Sequence, residues 1–524
     1  MCIDRASVAR VDSALMQSSS PAKPRAVFPI KHRYSFDAMM MFLYTAVVYV
    51  WGLTVYPMGR DYTFLESPGK LPFLAGRLFR WEIAAFGANP LGYHLVNTAL
   101  LYACMVCIYH FTRLVLKGPV WYGTLAATLF MANPVHSESM LNLSGVGDLL
   151  PCLAALLALT LYAASRRDEK GTALRTLLPW GAFALAMLPY PEHAGLPFVL
   201  VLFEWLVMGK EKRRWAVWAP YLVVTAAAWY GHAHAFRIAD FNPAQKMVPL
   251  YFIFYPLGFL PETAAAFHES PWLGWVAAGA VASLLALIYR KARRPVILFG
   301  LLGMAAVRLF QADHAVDPVH LIGGGQLLLA NVLFNVAAAA LFCCMTDRPK
   351  WRQPVILWTT VLCLALFGLQ IRSNEAWRYA GRQVRTFQQE LVALANEAPG
   401  PLIGLTPDYQ YYRGAPLCLG EAVTHGTAFS RPLPVVSLLP LHYAPPEVLK
   451  VAIAEWTPQR AVVHVAGKRP LDVMCAPYAR ARPGSVQETP LTRIQIDRVD
   501  PNGIVVSIRP KSGRLPARTF PVIH

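Results

Sequence analysis

The residue types able to do chemistry crowd into NPVHSESMLNLSGVGDLL, residues 133 to 150, a polar turn between two strongly apolar runs. The turn holds His136, Ser137, Glu138, Asn142, Ser144 and Asp148. Where an apolar chain reaches a membrane surface, ionisable groups are costly and usually face a protein interior or a wet cavity. The turn therefore points to a membrane enzyme or transporter with an active cavity on one face. Further acids, bases and cations come in four groups. The first is Arg60, Asp61, Glu66, Lys70, Arg77 and Arg80, and the second is Glu192 with His193. The third is His232, His234, Arg237 and Asp240, and the fourth is Arg308, Asp313, His314, Asp317 and His320. The sets His232/His234/Asp240 and His314/Asp317/His320 contain metal-ligand types, but their spacing matches no metal motif. A divalent ion stays open all the same, since Mg²⁺ binds through one or two carboxylates without a motif.

The elements that position these groups are membrane helices, which need roughly 20 mainly apolar residues each. Eleven such runs lie near 38–57, 91–112, 119–134, 147–165, 174–189, 195–209, 215–232, 272–290, 295–311, 325–345 and 353–371. Basic clusters follow the even-numbered runs, at Arg113/Lys117, Arg166/Arg167/Lys170, Lys210/Lys212/Arg213/Arg214, Arg290/Lys291/Arg293/Arg294 and Arg348/Lys350/Arg352. Cytoplasmic loops carry the Lys/Arg excess, so the pattern puts the N-terminus inside and the C-terminus outside. All four groups of candidates then share the outer face. The run 247–261 holds Pro249, Pro256 and Pro261 and reads as a re-entrant or interfacial pair. Counting it as a twelfth span would put the 290–294 cluster on the wrong side.

Composition agrees with this class. Of 524 residues, 56% are hydrophobic and 15% charged, against about 25% charged in soluble domains. The net charge of +18 is then a topology signal, and no nucleic-acid partner is expected. Residues 1–37 read as a basic cytoplasmic tail ahead of an uncleaved anchor, because no apolar core with a small-residue cleavage site precedes the first span. Residues 38–371 form the transmembrane domain and 372–524 an extracytoplasmic domain. Within the latter, residues 372–396 look helical. PLIGL, RAVVHVAG, RIQIDRV and GIVVSI look β-prone, and PEVLKVAIAEW reads as a helix between them. The expected class is an all-α polytopic membrane protein with a small C-terminal α/β domain. Six of the nine cysteines lie in apolar runs. Cys418 and Cys475 can pair if their domain is extracytoplasmic.

Three segments carry a resemblance: NPLGYHLVNTALLY (89–102), NPVHSESMLNLSGVGDLLPCLAALLALTLY (133–162) and LPYPEHAGLPFVLVLFEWL (188–206). In order and spacing they resemble integral membrane glycosyltransferases of the GT-C class. The likeness is to the protein O-mannosyltransferase-like branch, including its transmembrane-and-tetratricopeptide-repeat members and their bacterial relatives. RSNEAWRYAGRQVRTFQQELVALA (372–395) resembles the helix that follows their last span. The resemblance covers about residues 38 to 395, and no repeat of 20 to 50 residues accompanies it.

The resemblance implies transfer of a sugar from a polyprenyl-phosphate donor to an extracytoplasmic protein, glycan or lipid acceptor, with inversion, in a bacterial inner membrane. The family's first-loop carboxylate falls on Asp61, which would take the acceptor proton. Arg60, Arg77 and Arg308 are the candidates for the donor phosphate, where a guanidinium fork holds two oxygens. His136, Glu138, Asp148, Glu192 and His193 would shape the site or bind the acceptor. The plainer alternative for His136 and Glu138 is a helix cap with a mutual hydrogen bond. For Asp148 it is a carboxylate at the positive end of a helix dipole. Three departures stand out. Arg60-Asp61-Tyr62 carries one acid where relatives show a pair, DPVHLIGGGQ (317–326) replaces a later aromatic Arg-Tyr motif, and Leu101 stands where a second histidine is expected. They favour a second reading, a GT-C-like protein of envelope polysaccharide or lipid assembly that has lost its chemistry. A transporter is the third reading. The lack of an internal repeat and the single polar face speak against it.

Overall fold

Inside lipid every backbone N–H and C=O must be satisfied within the chain, so a spanning apolar run folds as a helix. The computed structural model of the protein describes residues 30–117, 119–167, 173–190, 193–208, 218–231, 250, 253, 294–311, 324–347 and 349–397, and separate segments between 407 and 511. Among these residues the helices are α1 (Ile30–Tyr49), α2 (Arg60–Glu66), α3 (Phe73–Phe86), α4 (Pro90–Leu116), α5 (Val120–Ala132) and α6 (Ser137–Leu141). They continue as α7 (Val146–Arg167), α8 (Ala173–Met187), α9 (Leu196–Leu202), α10 (Ala219–Gly231), α11 (Arg294–Leu309), α12 (Leu328–Thr346) and α13 (Pro349–Glu397). Stretches long and apolar enough to cross a membrane are Phe36–Thr54, Pro90–Leu116, Leu143–Arg167, Gly324–Thr346 and Pro349–Gln389. The chain is an integral membrane protein, mostly helical. Ten of the eleven expected runs coincide with helices; 272–290 lies outside the described residues, as does nearly all of 247–261.

Lipid tails are as apolar as leucine, so such helices associate through close packing and polar ties rather than hydrophobic burial. Two cores result. One joins α7, α8, α9, α11 and α12 around Tyr162, Phe183, Phe203 and Phe299. The other joins α1, α4, α5, α7 and α13 around Tyr49, Cys104, Met105, Phe130 and Trp377. The polar turn sits where α4, α12 and α13 meet α6 and α7.

α13 is a single helix of 49 residues, about 70 Å at 1.5 Å per residue. It runs unbroken through residue 372, where the charge pattern places the end of the span. Its early turns expose Leu357, Trp358 and Leu364, the face that lipid would cover.

Beyond it lies an antiparallel five-stranded sheet. Its spatial order is Lys450–Trp456, Ala461–Ala466, Gly503–Pro510, Thr492–Asp500 and Val486–Glu488. Alternate residues Ile494 and Ile496 on one strand, and Ile504, Val506 and Ile508 on its neighbour, are buried. PEVLKVAIAEW was expected as a helix, but Lys450–Trp456 is a strand paired antiparallel with 461–466, with a bulge between Ile453 and Glu455. Among the described residues after 397 there is sheet and no helix. A separate sheet pairs Pro407–Tyr409 parallel with Leu439–His442, and the latter antiparallel with Asp472–Cys475.

Candidate active site

Two Asn-Pro dipeptides set the local geometry by the same device. The Asn89 side chain accepts a hydrogen bond from Leu91 N at 3.1 Å, and Pro90 opens α4. The Asn133 side chain accepts one from Val135 N at 3.1 Å, and Pro134 opens a 3₁₀ turn. Asparagine at the N-cap satisfies an orphan donor, and proline at the first position needs none. From Asn133 the chain makes three tight turns before entering α7, and every residue from Asn133 to Val146 is buried. Gly145 is required there, because a Cβ on it would lie 1.7 Å from the Ser139 carbonyl oxygen.

Asp61 ties the first loop to this turn. Its Oδ1 accepts from Ser144 Oγ at 2.8 Å and Ser144 N at 2.9 Å. Its Oδ2 accepts from Leu143 N at 3.1 Å and Met58 N at 3.2 Å. A carboxylate has about four lone-pair sites, and all four are engaged. Burial raises the Asp61 carboxyl above the usual carboxylate range, and the four donors pull it back. Beside it, His94 Nε2 lies 2.9 Å from Val55 O and Nδ1 lies 3.2 Å from Met140 O. Asn97 Nδ2 donates to Asn142 O at 2.8 Å. One face of α4 thus holds the turn against the first loop.

On the other side of the turn, Gln370 Nε2 lies 2.9 Å from both Ser137 Oγ and Asn374 Oδ1, and 3.2 Å from the Tyr49 hydroxyl. Glu138 Oε2 accepts from Gly324 N at 2.8 Å. Asp148 Oδ2 accepts from Ser139 Oγ at 3.0 Å. Gly325 fits so closely that a Cβ would sit 2.3 Å from the Asp148 carboxyl carbon. Glu138 and Asp148 therefore hold the glycine run that leads into α12. Asp148 also lies in the first turn of α7, as the dipole reading has it.

His136 is fully buried and stacked on Phe130, with ring centroids 5.4 Å apart. Burial pushes its imidazole down to about 3, with the Met131 carbonyl acting the other way. Neither ring nitrogen makes a well-formed hydrogen bond, and the Asn142 amide is likewise unpartnered. The expected bond between His136 and Glu138 is not made, and the His136 side chain caps no helix. The reason is geometric: the imidazole turns toward Phe130, while Glu138 turns toward Gly324. A buried, uncharged set of hydrogen-bonding atoms thus lies next to two engaged carboxylates.

Arg308 joins this assembly through Gln311. Its Nη1 donates to Gln311 Oε1 at 3.0 Å, and Gln311 Nε2 donates to Gln326 O at 3.0 Å, next to the glycine run. Arg77 does not join it. Arg77 is exposed, and its guanidinium lies 4.8 Å from the centroid of the Phe73 ring. That face of α3 is opposite the one that buries Ala75, Phe79 and Glu82. Arg60 opens α2, and its side chain is outside the described set. His193 is buried with Nδ1 3.0 Å from Ala186 O, and burial lowers it to about 4. It belongs to the α8–α9 corner, whereas Glu192, both histidine sets (232–240 and 314–320) and Cys418 lie outside the described residues. Among the described residues no three His, Cys, Asp or Glu side chains converge as a metal centre requires.

Reading the sequence missed Glu82, His94, Asn97 and Gln370. Glu82 is fully buried in α3 with neither carboxyl oxygen partnered, and burial raises it to about 8. The spacing of His94 and Asn97 was the available signal, since residues three apart share a helix face. Glu82 gave no such signal, because FLAGRLFRWEIAAF has polar residues on more than one face.

No family model matches the chain. Over 121 residues it is 37% identical to protein O-mannosyl-transferase Tmtc1 of Drosophila melanogaster, a match covering 22% of this chain and 13% of that protein. Over 105 residues it is 32% identical to protein O-mannosyl-transferase TMTC2 of Homo sapiens, covering 20% of this chain and 12% of that protein. The matched stretch is thus a small part of either relative. Two solved structures align at a TM-score of 0.40 and 12% identity. ArnT from Cupriavidus metallidurans bound to undecaprenyl phosphate aligns over 78% of this chain and 86% of that one. The Archaeoglobus fulgidus oligosaccharyltransferase in complex with zinc and sulfate aligns over 70% and 56%. Likeness at that level says nothing about chemistry. Over about a fifth of its length, this helical membrane protein is similar to the TMTC protein O-mannosyl-transferases.

Proposed function

We propose that the protein is a GT-C-type membrane glycosyltransferase that moves a sugar from a polyprenyl-phosphate donor to an acceptor outside the cytoplasm. The observation that carries this is the homologous stretch of 121 residues, 37% identical to an O-mannosyl-transferase. The geometry lends support, since Asp61, the turn 133–148 and the face of α4 with His94 and Asn97 pack as one unit. In the proposed reaction the acceptor oxygen attacks the anomeric carbon from the side opposite the phosphate. The bond from that carbon to the phosphate oxygen breaks, and the electron pair leaves with polyprenyl phosphate. Asp61 takes the acceptor proton. Ser144 Oγ, 2.8 Å from Asp61 Oδ1, holds the place an acceptor hydroxyl would need, so the serine must turn away when the acceptor binds. Arg308 is the cation we assign to the departing phosphate, where positive charge lowers the barrier.

The saturation of Asp61 favours a second reading, in which it is a clamp and the protein assists envelope assembly without transfer. Donor binding separates the class from its rivals. Purified protein exposed to a photoactivatable polyprenyl-phosphate mannose should crosslink within residues 55–150 or 300–330, and unlabelled polyprenyl phosphate should compete. Absence of crosslinking from folded protein contradicts the proposal. We place the protein in a bacterial inner membrane, with the basic clusters cytoplasmic and residues 372–524 on the other side.

A further inference from the structure

One face of α13 changes chemistry along its length. Leu357, Leu364 and Ile371 recur every seven residues and are exposed, the first two at 66% and 64%. A seven-residue step drifts only about 20° around an α-helix. The next steps on that face are Arg378 and Arg385, and Arg382, one turn beyond Arg378, lies between them. The same strip thus faces lipid up to Ile371 and is basic from Arg378 on. Helical side chains lean toward the N-terminus, so these arginines lean back toward the apolar part of the strip.

Three further observations point at a ligand. The Arg378 guanidinium lies 5.6 Å from the centroid of the Trp51 ring, which is 65% exposed at the end of the first span. Tryptophan at that position marks the membrane–water interface. Arg382 and Arg385 are exposed, and among the described residues none of the three arginines has a carboxylate within ion-pair distance. Glu375 is the acid of this face; it too is exposed, and the arginines outnumber it. Finally, the charge pattern that assigns the five basic clusters to one side of the membrane assigns these arginines, beyond the span of α13, to the other. The charge bias of cytoplasmic loops does not explain them there.

We propose that Arg378, Arg382 and Arg385 form a docking stripe for the headgroups of anionic phospholipids in the leaflet that α13 crosses last. The occupant is the surrounding bilayer lipid, because the stripe continues a lipid-facing surface and lies outside the buried polar turn. The proposal needs only that α13 span the membrane and is independent of sugar transfer.

The test is lipid selectivity of the full chain in phosphatidylcholine vesicles, read by the immobilised fraction of spin-labelled phosphatidylglycerol against spin-labelled phosphatidylcholine. Wild type should prefer phosphatidylglycerol, and salt should weaken the preference. R378Q/R382Q/R385Q should lose at least about fivefold in selectivity, the worth of one arginine at an anionic surface. A control of equal charge change on the sheet and its adjoining turn, R482Q/R498Q/R509Q, should keep it. Should the triple variant fail to fold, exposed Arg382→Gln and Arg382→Glu supply the graded comparison, with the greater loss in the glutamate variant. Unchanged selectivity in the stripe variants, or an equal loss in the control, overturns the proposal. Displacement of labelled phosphatidylglycerol by trace polyprenyl phosphate overturns it too, by giving the stripe to a different lipid.

Discussion

At the scale of single residues, Glu82 and His136 show how burial sets protonation. Glu82 is pushed up to about 8 by desolvation, so the folded protein holds a proton that the unfolded chain releases near pH 4. Stability from this group is full below that point and falls as pH rises toward 8. Glu82→Gln should therefore raise the thermal midpoint at pH 7.5 and flatten its slope between pH 5 and 8, read by differential scanning fluorimetry in detergent. An unchanged slope would mean that Glu82 is ionised and paired. His136 has the opposite sign. Its folded value of about 3 lies below that of the unfolded chain, so its contribution is full above pH 6.5 and is lost as pH falls. Replacing unpartnered buried polar atoms by an apolar group of similar shape is close to neutral or stabilising. His136→Leu should thus keep the thermal midpoint at pH 7.5 and remove part of its acid-side decline. Loss of transfer activity with the fold retained would give His136 a place in the reaction.

The elements are held by a few polar ties. α7 meets the π-helical turn after α9 through Arg166, whose Nε and Nη2 lie 2.5 and 3.1 Å from the two Glu204 carboxyl oxygens, with Tyr162 adding a bond at 2.8 Å. Breaking such a buried pair leaves an unpaired charge. Glu204→Gln should cost about 3–5 kcal/mol, seen as a lower unfolding midpoint and poorer yield. Gly145→Ala should be as harmful, because the Ser139 carbonyl fills the space its Cβ needs. Much at this scale was legible in the sequence. The apolar runs stand out against the basic clusters, and the turn 133–148 stands out because polar residues interrupt such runs. Three features were not legible. The switch to charge at Arg372 looks like an element boundary, yet helical hydrogen bonding continues through it. Lys450–Trp456 has a pattern compatible with helix or strand, and its partners at 461–466 decide the matter. Asp61 announced itself as a loop acid, but its four donors come from residues 3 to 83 positions away, which no local pattern reveals.

Taken whole, the described residues form a helical membrane body in which the first loop and the glycine run before α12 pack onto one buried polar turn, with a sheet after a long helix. Two predictions concern this arrangement. A cysteine placed at Lys170 should react with an impermeant maleimide only in permeabilised cells, and one at Arg498 should react in intact spheroplasts. The reverse pattern would invert the membrane orientation. The most direct test of the central claim is sugar transfer by the reconstituted protein from polyprenyl-phosphate mannose to an acceptor mixture, with wild type beside Asp61→Asn and Ser144→Ala. The account predicts transfer by wild type and by Ser144→Ala, and a loss of about 10²-fold or more in Asp61→Asn, as for removal of a general base, with donor crosslinking preserved. Equal transfer by wild type and a folded Asp61→Asn variant would contradict it and leave Asp61 as a structural clamp.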